Sequence, residues 1–246
     1  MDALIDVAGI TVYRSEPTEP TVPPKGALIV IHEIWGLVAH ITDVADRYAA
    51  EGYLVLAPDL LSDAGVTPDI GEELMAIMTE QDPEKRAIGQ PRLREAFGSI
   101  RAPEFAAEAV AKLKLVVDAL ASEPGIDGRI GVLGFCFGGT YSFALAAADD
   151  RVKAAVPFYG AAPSVDDIAG IHCPVLALYG QNDPALIDAL PAVREAMDAA
   201  RVDFTAQVYS DAGHAFFNDT NPHTYNAVDA ADAWARSLAF LDGALQ

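Results

Sequence analysis

Gly134-Phe135-Cys136-Phe137-Gly138-Gly139 is the stretch on which the fold of this chain turns. It follows the apolar run Ile130-Gly131-Val132-Leu133, which reads as a buried strand, and opens into 140–148, which reads as a helix. A strand that turns sharply into a helix at a reactive residue flanked by glycines is a nucleophile elbow. A turn this tight leaves no room for a Cβ two positions either side of Cys136, which accounts for Gly134 and Gly138. The strain holds the Cys136 side chain at the mouth of a pocket and at a helix N-terminus. The competing reading is a buried cysteine acting as a small hydrophobe. Both glycines, the following Gly139 and the strand–helix context favour the elbow.

Outward from the elbow, apolar runs at 27–31, 53–57, 129–135, 152–159, 174–180 and 204–209 read as strands, with a short hairpin at 4–7 and 10–14 around Ala8-Gly9. A helix from about His40 places Ile41, Val44, Ala45 and Tyr48 on one face, with Gly52 as its stop. Another over 104–122 aligns Phe105, Ala109, Leu113, Val116 and Leu120. The last helix is expected to start at Asn221-Pro222, an N-cap with proline in the first turn, and to run towards Leu241. Residues 15–25, with Pro17, Pro20, Pro23 and Pro24, read as an extended connector. From 60 to about 103 the pattern loosens into short helices near 71–79 and 83–88, with breaks at Gln90-Pro91, Gly98 and Pro103. Such an interruption reads as a small cap over the pocket. The alternation of strands and helices predicts one α/β domain, 1–246, with a mostly parallel central sheet and helices on both faces.

Composition bounds the function. With 52% hydrophobic residues among 246, the chain can bury a large core. Its 16 basic and 36 acidic residues leave a net charge of −20, which argues against nucleic acid and anionic membrane surfaces as partners. The same field repels acidic substrates, so an anionic ligand would need a local arginine. Two cysteines, Cys136 and Cys173, point to a reduced, cytoplasmic setting rather than a disulfide that would consume Cys136. Neither a signal peptide nor a membrane-length apolar run is legible.

A nucleophilic cysteine needs a base and a group that orients the base, and with an elbow of this kind they follow in the order nucleophile, acid, histidine. Asp183 stands where the strand 174–180 ends, although Asp183-Pro184 is equally a natural helix N-cap. His214, beside Gly213 on the loop after the last strand, is the expected base. His32 lies at a strand end, His172 on an approach loop, and His40 and His223 near helix starts; each is a weaker candidate. No pair has metal-ligand spacing, and no phosphate loop or dinucleotide fingerprint is present, so no metal and no cofactor are expected.

Together, His32-Glu33-Ile34-Trp35-Gly36-Leu37, the Gly134–Gly139 elbow, Asp183 and Gly213-His214 make the chain resemble the dienelactone hydrolases, the carboxymethylenebutenolidase-like branch of the α/β-hydrolases, from about Ala27 to Leu241. The resemblance implies the α/β-hydrolase fold and a Cys136–His214–Asp183 triad. It also implies an oxyanion hole from the backbone N–H groups of Ile34 and Phe137, and a regulatory Glu33 beside the thiol. A carboxylate there raises a thiol pKa, keeping Cys136 protonated until a ligand displaces it, or accepts the proton. Read alone, Glu33 would be a surface carboxylate at a strand end.

In one respect the chain departs from the family. Members acting on dienelactone hold the substrate carboxylate with arginines and a serine just after the histidine, and here that stretch is Ala215-Phe216-Phe217-Asn218-Asp219. Arg86, Arg92, Arg94 and Arg101 in the cap are the candidate replacements, and each is by default a solvated charge. Trp35, Arg86, Arg94, Tyr159, Ala215 and Phe216 are the candidate substrate contacts, and Phe137, Tyr159, Phe216 and Phe217 are the candidates to line a more apolar pocket. The expectation is a cysteine-dependent hydrolase of a small-molecule carboxylic ester or lactone, acting as a monomer. A general short-chain esterase or thioesterase, and a redox-sensing or non-catalytic protein on the same fold, are the alternatives.

Overall fold

A computed structural model describes residues 3–18 and 23–246; Met1, Asp2 and Pro20 of the proline-rich connector lie outside it. Among the described residues the strands form one sheet. Ala3–Val7 (β1) and Ile10–Ser15 (β2) pair antiparallel across Ala8-Gly9, both in positive φ, as a two-residue turn of matching twist requires. Ala27–Ile31 (β3), Leu54–Pro58 (β4), Ile130–Phe135 (β5), Val152–Phe158 (β6), Val175–Gly180 (β7) and Phe204–Tyr209 (β8) follow in parallel, and the order across the sheet is β1-β2-β4-β3-β5-β6-β7-β8. β3, β4, β5 and β7 are buried throughout, as continuous apolar runs covered on both faces should be.

The helices divide between the two faces. Ala39–Ala50 (α1) and Ala227–Ala244 (α8) cover one side, packing Ile41, Val44, Tyr48, Ala233 and Leu241 against Leu28, Val30, Leu133 and Val156. Pro103–Ala121 (α4), Phe137–Ala148 (α5), the short Val165–Ile168 (α6) and Pro184–Ala199 (α7) cover the other, with Leu113, Val116, Leu120, Phe143, Ile168 and Met197 packed with Ile29, Val132 and Ala177. The direction of winding reverses between β3 and β5, and the crevice outside their C-terminal ends is where such sheets bind ligands.

Two boundaries differ from the sequence expectation. Asn221-Pro222 opens a turn, not the last helix: Asn221 Oδ1 accepts the His223 N–H, and its carbonyl takes the N–H groups of Thr224 and Tyr225. α8 starts five residues later, where Asn226 caps the N–H groups of Val228 and Asp229 while its own N–H is tied to Phe216 O. The loop therefore remains anchored before the helix can begin. Between 60 and 103, Pro68–Thr79 (α2) and Pro83–Ala96 (α3) form a helical pair, and α3 continues through Gln90-Pro91. A proline inside a helix leaves the carbonyl four residues earlier unpaired, and here that is Ala87, on an exposed face where water can serve it.

This pair encloses a third apolar cluster of Leu61, Val66, Leu74, Leu93, Phe97 and Phe105. The cluster rests on Ile34, Trp35, Phe137 and Tyr141. A Cβ at Gly71 in α2 would stand 1.7 Å from the Trp35 carbonyl oxygen, so glycine lets this helix lie directly on the turn after β3.

Candidate active site

Four loops at the C-terminal edge of the sheet supply the site: those after β3, β5, β7 and β8. At the elbow after β5, Cys136 has φ 55° and ψ −109°, a conformation that costs about 1–3 kcal/mol for a residue with a Cβ. The surrounding glycines explain how it persists. A Cβ on Gly134 would lie 2.3 Å from Gly138 O, one on Gly138 2.1 Å from Ile31 O, and one on Gly139 2.4 Å from Phe158 O. Backbone therefore packs on backbone around the turn, and the Cys136 N–H closes it by donating to Phe158 O at 3.0 Å.

The backbone N–H groups of Phe137 and Ile34 lie beside the Cys136 sulfur and favour its thiolate. Burial above all, and then the nearby Glu33 and Asp183 carboxylates, overcome those donors and push the thiol up to about 12. Glu33 is no surface group: it is 1% exposed. Its carboxylate accepts from Asn218 Nδ2 at 2.6 Å and from the Tyr159 hydroxyl at 3.4 Å. Burial raises it from 4.5 to about 7 in spite of these two donors. Tyr159, itself buried and at φ 38°, also sets its ring 5.2 Å from that of His214.

Asp183 and His214 meet across the ends of β7 and β8. Asp183 Oδ2 lies 2.6 Å from His214 Nδ1, and the Asp183 side chain makes no capping bond to α7 although the residue occupies the N-cap position. The carboxylate thus goes to the imidazole. His214 is half exposed, and its Nδ1 engagement leaves Nε2 as the free ring nitrogen. Among the described residues Cys136 and His214 share no hydrogen bond, and the charge of Glu33 acts on the thiol more strongly than that of Asp183.

Asn218 is the site residue that sequence reasoning passed over. It is almost fully buried, and its Oδ1 accepts from the N–H and hydroxyl of Thr220, at 3.0 and 2.6 Å. That fixes the orientation of the amide and turns Nδ2 onto Glu33. Its only trace in the sequence is its place four residues after His214.

The candidate substrate contacts fall in different places. Ala215, at φ 61°, reverses the chain just after His214. Phe216 then points inward, with no exposed surface, between Tyr159 and Tyr209, and Phe217 packs on Phe135 and Phe158. These two rings are core, not the pocket lining expected of them. Phe137 is half-buried, stacked on His32 and tilted against Phe105 and Tyr141. Trp35 sits half-buried against Phe97. Arg86 and Arg94 lie exposed on α3, Arg101 is exposed at the turn before α4, and Arg92 pairs with Glu73. None of the four touches the loops that carry Glu33, Cys136, Asp183 or His214 through a hydrogen bond or ion pair among the described residues. No group of three His, Cys, Asp or Glu side chains among the described residues is placed to hold a metal ion, and no described helix is long and apolar enough to cross a membrane.

Comparison with known proteins gives the chain its relatives. The model of the dienelactone hydrolase family matches residues 10–245. A protein of Saccharolobus solfataricus, provisionally named a carboxymethylenebutenolidase, is 33% identical over 96% of this chain and 95% of its own length. An Escherichia coli K12 protein with the same provisional name is 30% identical over 92% of this chain and 79% of its own. A Klebsiella pneumoniae crystal structure, provisionally named a dienelactone hydrolase, superposes with a TM-score of 0.79 at 31% identity, covering 98% of this chain and 97% of that one.

Proposed function

This chain belongs to the dienelactone hydrolase family, whose members here are hydrolases of esters and lactones, and from that premise we propose that it cleaves its substrate through Cys136. The observation that carries this reading is the short Asp183–His214 bond set beside a cysteine held in a strained elbow. In the resting arrangement the thiol lies beside the amides of Ile34 and Phe137 and stays protonated near Glu33. A substrate carbonyl oxygen entering those amides displaces the sulfur towards the carbonyl carbon and towards His214.

His214 Nε2 then takes the thiol proton as the S–C bond forms, and the oxyanion rests on the Ile34 and Phe137 N–H groups. Asp183 keeps the imidazole in the tautomer that leaves Nε2 free and steadies the imidazolium. The imidazolium returns its proton to the departing alkoxide, leaving a thioester on Cys136. Water, activated by the same nitrogen, hydrolyses the thioester and restores the thiol. Replacing Cys136 by alanine is expected to abolish turnover of esters and lactones alike. Intact-mass spectrometry of the wild-type protein mixed with a slow ester should show the acyl group on Cys136. Turnover retained by C136A overturns the reading.

For the substrate, position 218 favours an uncharged acyl part. A neutral amide stands against Glu33, Arg86 and Arg94 lie exposed on α3, Arg92 pairs with Glu73, and Arg101 lies exposed before α4. Among the described residues no hydrogen bond or ion pair brings a cationic side chain to Glu33, and the net charge of −20 repels a substrate carboxylate at long range. kcat/KM for a neutral ester should exceed that for a carboxylate-bearing dienelactone of similar size; the reverse preference would restore a carboxylate-binding pocket.

A further inference from the structure

The residue before Glu33 has no part in the chemistry just described, yet it touches both sides of the oxyanion-binding pair. His32 is completely buried at the end of β3. Its Nε2 accepts the backbone N–H of Leu60 at 3.0 Å, and an imidazole nitrogen that accepts carries no proton. The proton of the neutral ring is therefore on Nδ1, which donates to the carbonyl oxygen of Glu33 at 2.7 Å. The Gly36 N–H donates to that same oxygen at 3.1 Å. The ring also lies parallel to Phe137, 5.6 Å between centroids and 4° between planes.

The carbonyl that His32 grips belongs to the peptide unit whose N–H is that of Ile34. In a planar trans peptide the C=O and N–H point in opposite directions, so fixing one direction fixes the other. With the oxygen held by His32 and Gly36, the Ile34 N–H is turned to the opposite side, the side of the Cys136 sulfur. Leu60, which fixes the ring in turn, begins the segment that leads into α2, and the Asp59 side chain holds the N–H groups of Leu61 and Ser62 beside it. A buried imidazole with both nitrogens engaged has no freedom to tilt or to take the other tautomer without orphaning a backbone group.

We propose that His32 is a positioning residue for the oxyanion hole: held as the Nδ1–H tautomer between Leu60 N–H and Glu33 C=O, it locks the Glu33–Ile34 peptide so that the Ile34 N–H faces the reacting carbonyl oxygen. The proposal rests on the reading of Cys136 as nucleophile, and it makes a demand of its own. The amide that His32 positions binds a full oxyanion more strongly than a neutral carbonyl, so its loss should appear mainly in kcat and in the affinity for a tetrahedral adduct, with KM little changed.

The test uses the full chain with His32→Phe, which keeps a ring against Phe137 and removes both hydrogen bonds, and His32→Asn, whose side-chain N–H can still reach Glu33 O. A trifluoromethyl ketone matched to the ester substrate forms a hemithioketal with Cys136 and reports on the oxyanion hole alone. We expect H32F to lose roughly 10–100-fold in kcat and a similar factor in trifluoromethyl ketone affinity, with KM within about threefold. H32N should recover most of both. Unchanged kcat and ketone affinity in H32F, or a loss that H32N does not recover, would overturn the proposal. Should H32F fail to fold, imidazole nitrogen NMR of the wild-type protein decides, with the His32 signal identified by its absence from H32N. Protonation at Nδ1 supports the proposal and protonation at Nε2 overturns it. An active C136A protein would instead remove the nucleophile reading beneath it, an outcome separate from these.

Discussion

The floor of the site and the helical pair above it are held together in different ways. On the floor, backbone meets backbone: Gly138 lies against Ile31 and His32, Gly139 against Phe158 and Gly160, and Gly180 against Ala212 and Gly213. Of the groups presented there, Glu33 and Asp183 are buried and Cys136 is half-buried; Glu33 is tied to the buried Asn218 and Tyr159, and Asp183 to His214. Above, α2 and α3 share one modest apolar cluster, and their outer faces carry exposed charges and Ile88. A close-packed floor admits few side chains at any position, whereas the helical pair is held by hydrophobic contact that many sequences can supply. The difference teaches where to look for reaction and where for substrate. On the proposed reading, the chemistry sits at positions that cannot drift, and selectivity is left to a surface that can.

Substitutions on the two sides should separate them. The largest effect is expected from Asp183→Asn, which removes the charge that steadies His214: kcat should fall on the order of 10³–10⁴-fold with little change in thermal unfolding. A fall below tenfold would detach Asp183 from the reaction. Next, Gly138→Ala forces a Cβ to within 2.1 Å of Ile31 O, where only backbone could give way, and should cost about 4 kcal/mol or more in denaturant unfolding. Tolerance of alanine would show the elbow to be looser than the floor requires.

Glu33→Gln gives an effect that depends on pH. Glu33 rises from 4.5 unfolded to about 7 folded, so the native state holds its proton more tightly, and stability falls as pH climbs through that interval. The decline amounts to ~3 kcal/mol. Glutamine cannot titrate, so E33Q should gain on wild type between pH 4.5 and about 7 and keep that gain above it. Parallel stability curves would contradict it. The same variant should lower the Cys136 pKa, since the Glu33 charge is the main contributor to its rise after burial; the pH dependence of iodoacetamide alkylation measures this. The smallest effect belongs to the helical pair. Arg86→Ala and Arg94→Ala should each change kcat/KM for a neutral ester by less than about threefold and stability by less than about 0.5 kcal/mol. A large loss confined to a carboxylate-bearing substrate would move these arginines into the binding site.

What could be read in advance follows the same division. The strands and the helices α1 and α4 were legible because each buries a regular apolar face, and the elbow was legible because its glycines have a steric cause that is local in sequence. The start of α8 was misread because Asn221-Pro222 carries the local signs of a cap, while the bond from Asn226 N–H to Phe216 O, which delays the helix, joins residues ten positions apart. Phe216 and Phe217 were misplaced because the direction of a side chain after His214 depends on a single left-handed residue, Ala215, whose conformation carries no sequence mark.

From its residues alone the chain determined its layered α/β architecture, the elbow at Cys136 and the family to which these belong, because periodicity and steric exclusion act over a few neighbouring positions. Only the tertiary structure decided that the Asp183 carboxylate turns to His214 and not to its own helix, and that Glu33 is buried against Asn218 and Tyr159. It likewise decided that His32 grips the peptide of Ile34. Each of these is a choice of partner made by desolvation, and desolvation depends on which distant segments close over a group.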